Sequence, residues 1–336
     1  MTGFPFDLTV IWAGIIVFAI VAYVVMDGFD LGIGILFPTL KPGPQRNVAM
    51  NTIAPIWDGN ETWLVLGGGG LMAAFPLAYA VILPALYAPL IAMLLALVFR
   101  GVAFEFRWKD PGHRAAWDIA FFSGSLVATF AQGITLGALL QGITVSGRAY
   151  AGGWWDWLTP FTLLTGLSLV VGYALLGATW LILKTEGELQ QKAYRQARLL
   201  GAGLVITIGV VSIATPFLEA DYYTRWFAWP GILAAGIVPF LVALTTWQFF
   251  RSLALGRELA PFLLTLGLFA LTLLGLAVSI WPYVIPGQVT IWEAAAPPQS
   301  QTFMLVGAVI MLPIILAYTS WAYWVFRGKT GEDGYH

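Results

Sequence analysis

The stretch "VVMDGFDLGIGILFP", residues 24–38, carries Asp27 and Asp30 inside an apolar run that begins near residue 8. On a helix, residues three apart share a face, so both carboxylates point the same way. Apolar runs of about 20 residues, the length that crosses a bilayer, recur along nearly the whole chain. Of 336 residues, 59% are hydrophobic and 10% charged, against about 25% charged in a soluble domain. Mean hydropathy is +0.82. The chain therefore reads as an all-α integral membrane protein, a single transmembrane helical domain over 1–336. An ionisable side chain at a bilayer centre costs roughly 2.5–3.5 kcal/mol on insertion scales, so two aspartates in a spanning helix need a partner or a task.

Hydropathy, prolines and charges place spans at 8–37, 60–76, 79–100, 117–140, 161–183, 199–218, 227–250, 261–283 and 302–326. Around "FPLAYAVILPA", Pro76 and Pro84 mark either a tight turn between two helices or kinks in one longer segment. With nine spans, 14 of the 16 Lys and Arg fall on one side, leaving Arg148 and Arg225 on the other. The positive-inside rule then puts the N-terminus outside and the C-terminus in the cytoplasm. Eight spans would split the basic loops between the sides. The start of the chain lacks the basic region of a signal peptide and is expected to remain as the first span. Trp154, Trp155 and Trp157 outside, with Trp321 and Trp324 inside, fit interfacial belts against lipid. The outer loop at 287–301 is long enough to lie along the membrane or cover a neighbour.

A net charge of −1 without a long basic block gives no sign of a nucleic-acid partner. The absence of cysteine excludes disulfides, iron–sulfur clusters, thiolate metal sites and covalent haem attachment. His113 falls in a loop and His336 is the last residue, so neither reaches membrane depth to ligate a haem. The seven methionines read as packing residues.

The acids carry more information. "NTIAPIWDGNETWLVLGGGG", residues 51–70, brings Asp58 and Glu61, again three apart, to the start of the second span. Both acid pairs should lie at similar depth on the cytoplasmic side. There they can be neutral through burial, pair with Arg100, pass protons along a hydrated chain, or simply lock helices together. Arg100 and Glu105 also read as a snorkelling local ion pair, and Gln132, Gln141 and Gln248 as interhelical hydrogen-bonders. Gly28 and Gly32, in GxxxG spacing, and the run Gly67–Gly70 read as close helix packing. A coupled secondary transporter, with the acids binding a proton or cation, competes with these readings, but no second half of the chain repeats them.

Four segments in order, "MDGFDLGIG", "NTIAPIWDGNETWL", "FRGVAFEFR" and "PIILAYTSWAYW", resemble subunit II of the cytochrome bd-type quinol oxidases, and the resemblance runs from the first span to the last. It implies a multi-pass subunit in the bacterial cytoplasmic membrane, within a respiratory complex that oxidises quinol and reduces O2 to water. Haem b and haem d would be ligated mainly by the larger subunit I, and a small single-span accessory subunit can accompany the pair. The matching positions imply a proton route from the cytoplasm through Asp30 and Asp58, with Asp27 and Glu61 beside them. Trp57 and Arg100 would lie near the subunit interface or a quinone bound within this subunit. The short connection "LEADYYTRWFAWP" between the sixth and seventh spans is similar to that of the cyanide-insensitive branch.

Overall fold

The computed structural model describes residues 7–229 and 231–331. His336 and the side chain of Arg225 lie outside the described part. Among the described residues, nine helices have 18 residues or more: α1 Leu8–Leu36, α3 Trp57–Ala74, α5 Tyr87–Lys109, α6 Arg114–Leu140, α7 Pro160–Lys184, α8 Gly187–Ala214, α10 Gly231–Ala254, α11 Leu259–Ile280 and α13 Pro298–Val325. Short helices α2 Pro44–Asn51, α4 Pro76–Ala85, α9 Ala220–Phe227 and α12 Ile291–Ala294 connect them. Eight of the nine long helices are long and apolar enough to cross a membrane. The exception is α3, whose first turns are polar. It runs antiparallel to α1, with Gly70 against Ile16, Gly67 near Ile20, and Asn60 bonded to the Met26 carbonyl.

In lipid, apolar side chains gain little by leaving their surroundings, so helices associate through close backbone approach and interhelical polar contacts. Glycine supplies that approach at three crossings. A Cβ on Gly32 of α1 would lie 1.8 Å from the Tyr173 carbonyl oxygen, and one on Gly177 of α7 would lie 2.5 Å from the Gly32 carbonyl carbon. Gly133 of α6 meets Gly166 of α7, and Gly124 of α6 meets the Ala96 carbonyl of α5. Helices α1, α5, α6 and α7 thus form the tight centre, where Phe29, Phe121, Tyr173 and Leu175 are buried. The run Gly67–Gly70 divides: Gly67 and Gly70 pack against Ile20 and Ile16 of α1, whereas a Cβ on Gly68 or Gly69 would meet nothing within 4 Å and both face outward.

The basic chain segments gather at one end of the bundle. Lys41 pairs with Glu188, and Lys192 donates to the Thr39 carbonyl. Lys329 reaches Glu258 at 2.7 Å, and Lys184 donates to the Gly328 carbonyl at 3.0 Å. At the other end lie two antiparallel hairpins, β1 Val145–Ser146 with β2 Ala149–Tyr150 and β3 Tyr283–Ile285 with β4 Val289–Thr290. Gly147 and Gly287, at φ 62° and 68°, make the turns. The loop at 287–301 folds back over its own chain. Thr290 and Glu293 form a capping box at α12, and Ala296 donates to the Ala74 carbonyl at 2.9 Å. Trp292 donates to Asp7 at 2.7 Å, and this bond helps hold the Asp7 carboxyl below the usual carboxylate range as it caps α1.

Two span boundaries move substantially. The third span is α5 at 87–109, not 79–100, because Pro76 and Pro84 bound a separate ten-residue helix, neither a tight turn nor kinks in a continuous helix. Phe75, preceding Pro76, is pushed out of the helical region, and the proline at 84 weakens the last turn of α4. α5 then continues past Arg100 because that side chain is neutralised inside the bundle. The sixth span is the apolar part of a longer helix, α8, which starts at Gly187 rather than 199 and whose polar first turns bear Lys192 and Arg195.

Candidate functional site: a buried carboxylate–guanidinium cluster

The last turns of α1 bring Asp27 and Asp30 to one side of the helix, and Gly28 and Gly32 let α7 close against the adjoining side. From α5, Arg100 enters the same space. All three side chains are 0% exposed. The Arg100 Nη2 lies 3.4 Å from Asp27 Oδ1 and 4.0 Å from Asp30 Oδ2, while Nη1 lies 3.3 Å from Glu61 Oε2 on α3. Glu61 is one-quarter exposed and makes the outer edge of the cluster.

Neutral polar groups complete it. Asn60 Nδ2 donates to Asp30 Oδ2 at 2.8 Å and to the Met26 carbonyl at 3.2 Å. The Tyr323 hydroxyl of α13 donates to Asn60 Oδ1 at 2.9 Å. One turn before Asp27, the Tyr23 hydroxyl accepts from Gln132 Nε2 at 2.7 Å, and Gln132 Oε1 accepts from Tyr173 at 3.0 Å. This ladder ties α1, α6 and α7. Among the described residues Asp30 Oδ1 has no hydrogen-bond partner, and Asp27 lies against the Arg100 guanidinium and the Tyr23 hydroxyl. One guanidinium faces three carboxylates, so full ionisation would leave an excess of two negative charges in a site largely closed to water. Exchange of protons is the chemistry such an unbalanced cluster supports.

The expected site residues therefore separate. Asp27, Asp30, Glu61 and Arg100 meet, whereas Asp58 stands outside the cluster, exposed in the first turn of α3 beside Glu61. Asp58 heads an exposed stripe with Thr62, Val65, Gly69 and Met72. Trp57 stacks on Phe104 with ring centres 4.7 Å apart and planes 2° apart, and the Arg100 guanidinium carbon lies 5.8 Å from its ring. Glu105 is not the partner of Arg100; it pairs on the surface with Lys109 at 2.9 Å, because α5 turns the two charges to different sides. Gln132 and Gln141 make interhelical or loop bonds as expected of such groups, while Gln248 is exposed.

Sequence reading passed over Asn60, Tyr23 and Tyr323, and also a second cluster. Asp118 of α6 accepts from Arg107 Nε at 2.5 Å and from Arg46 Nη1 at 2.7 Å, and Arg107 Nη1 donates to Asn47 at 2.9 Å. This cluster clamps α2, α5 and α6 at the basic end. The signal available for it was the density of charges in "RWKDPGHRAAWD".

Among the described residues no histidine stands at membrane depth, where a haem would need one. His113 is exposed in the loop between α5 and α6 and bonds Asp110 at 2.9 Å. Among the described residues no group of His, Cys, Asp and Glu is arranged to hold a metal ion.

A family model, cytochrome bd terminal oxidase subunit II, matches residues 8–326. The chain is 32% identical to the cytochrome bd-I ubiquinol oxidase subunit 2 of Escherichia coli K12, over 97% of this chain and 96% of that protein. It is 30% identical to the cytochrome bd ubiquinol oxidase subunit 2 of Bacillus subtilis, over 96% of each. Its fold matches a chain of the bd oxidase structure from Geobacillus thermodenitrificans with a TM-score of 0.76 at 16% identity, covering 95% of this chain and 98% of that one. With the family model covering nearly all its length and its fold shared with a solved oxidase, the chain belongs to the family of cytochrome bd terminal oxidase subunit II.

Proposed function

We propose that this subunit is a scaffold and a proton route for the subunit I of its complex, carrying protons from the cytoplasm through the Asp27–Asp30–Glu61–Arg100 cluster. Family membership makes the chain a multi-pass part of a respiratory quinol oxidase that contains haem and a subunit I. In our reading, subunit I holds haem b and haem d, a reading supported by His113, the one described histidine of this chain, lying exposed in a loop. The substrates are quinol and O2, the complex sits in the bacterial cytoplasmic membrane, and a small single-span accessory subunit can join it. Quinol oxidation releases protons outside while the protons consumed in making water come from the cytoplasm, so charge is separated without a pump.

The observation that carries the route is the mismatch of one buried guanidinium with three carboxylates. Arg100 allows a carboxylate to ionise inside the bundle, and the surplus acids can take up and release protons near it. Asp30 and Asp27 form the inner part. Glu61 and Asp58, progressively more exposed on α3, lead to the surface that we assign to subunit I. Trp57, partly exposed and flat against Phe104, is the place in this chain where a quinone ring can stack.

The test is Asp30→Asn in the assembled complex. Quinol-dependent oxygen consumption should fall at least about tenfold, within the range of a lost proton-transfer group, while the visible haem spectrum stays unchanged. Asp58→Asn should slow turnover in the same sense. Normal turnover of an intact Asp30→Asn complex would overturn the route.

A further inference from the structure

We propose that the crevice between the start of α3 and the last turns of α13 is the water-filled mouth through which protons reach Asp30. The inference rests on reading the carboxylate cluster as a proton route, and it identifies where that route opens to solvent.

One wall of the crevice is Pro55, Ile56 and Gly59, and the other is Tyr318, Thr319 and Ala322. Its floor is the hydrogen-bonded pair Asn60 and Tyr323. The volume is about 30 Å³, and a water molecule needs roughly 10–15 Å³ together with two to four polar partners. Residues with polar side chains are present: Asn60, Tyr323 and Thr319 all line the space. Immediately behind the floor, Asn60 holds Asp30 Oδ2 at 2.8 Å, so one side chain separates the crevice from the buried carboxylate.

Its position in the bundle favours water over lipid. The crevice lies where α13 approaches Arg327 and Lys329, at the end where Lys184, Lys192 and Glu258 also gather. Elsewhere α13 is loosely held, with only Gln301 and Leu305 buried along its length. Tyr323 is the point at which it is tied by hydrogen bond to the acid cluster. Asn60 cannot itself relay a proton, since its amide hydrogens and carbonyl do not exchange roles readily. It is a positioning residue that fixes Asp30 Oδ2 and closes the floor, and a rotation of its side chain would open Asp30 to water in the crevice.

The absence of cysteine from this chain gives a direct test. Thr319→Cys is introduced into the full complex, which is assembled, purified into lipid nanodiscs and then treated with a positively charged methanethiosulfonate reagent. Modification should lower quinol-dependent oxygen consumption at least threefold, with recovery on reduction of the mixed disulfide. Carbon monoxide rebinding to the reduced haem, which takes up no proton, should be unchanged. The same reagent on Phe303→Cys, at the far end of α13, should leave turnover alone. Because modification follows assembly, a folding defect cannot imitate the block, and Ala322→Phe provides an independent plug. A Thr319→Cys complex that resists modification, or is modified without slowing, overturns the mouth. Asp30→Asn measured alongside separates the two ideas: if it is slow while the plugged crevice is not, the route stands and opens elsewhere. If it too is fast, the route itself fails.

Discussion

Arg100 is the side chain on which the buried cluster depends. It is enclosed completely and touches acids from two helices, Asp27 and Asp30 of α1 and Glu61 of α3. Removing one partner of a buried ionic group typically costs about 3–5 kcal/mol, because the remaining charges lose their compensation. Arg100→Gln should therefore destabilise the complex by roughly that amount, read as earlier thermal loss of the haem spectrum. Glu61→Gln should be much milder, because glutamine still offers its carbonyl to the guanidinium and one surplus carboxylate is gone. Equal melting of wild type and Arg100→Gln would show that the guanidinium does not hold the cluster together. Three acids and the arginine were legible in the sequence because a charge within an apolar run is conspicuous. Asn60 and Tyr323 were not, because neutral polar groups are ordinary in such helices and these two meet across 263 residues of chain. Asp58 illustrates the converse: its spacing matched Glu61, yet its position in the first turn of α3 turns it to the surface.

Helices and their contacts follow a similar division. The apolar runs announced the long helices, since each must satisfy its own backbone in lipid. Their ends were harder to read. Hydropathy marks the membrane-facing part of a helix and is blind to polar turns that continue beyond it, as at the start of α8, or to charges buried with partners, as along α5. Glycines were legible by spacing but not by partner. Gly32 stands where α1 crosses α7 backbone to backbone, whereas Gly68 faces open space within this chain. Gly32→Ala should force the helices apart at the acid cluster, a strain of about 1–3 kcal/mol or more for an overpacked site. The measurable result is reduced yield of complex with intact haem spectrum. Gly68→Ala should leave the stability of this subunit's bundle unchanged, as judged by its thermal melting. If Gly32→Ala assembled and melted like wild type, the crossing would not be the close contact that orders α1 against α7.

The direction of the whole molecule in the membrane determines what the cluster can do. Among the described residues nine long helices lead from Leu8 to Val325, and if all nine cross, as we propose, the two ends of this stretch lie on opposite sides. Contacts such as Lys41 with Glu188 and Lys329 with Glu258 show the basic loops meeting one another at a single end. That end also bears the crevice above Asp30 and the Arg46–Arg107–Asp118 clamp. In our proposal the positive-inside rule assigns such an end to the cytoplasm, and the crevice would then open Asp30 to the compartment that supplies protons for water formation. A green fluorescent protein fused after residue 336 should therefore be fluorescent in intact cells, and alkaline phosphatase fused at the same place should be inactive. Fusions in the loop between β1 and β2, which carries Arg148 at the opposite end, should show the reverse. Phosphatase activity at the C-terminus would invert the bundle, and protons entering by the crevice would then come from the outer side and could not contribute to charge separation in the proposed sense.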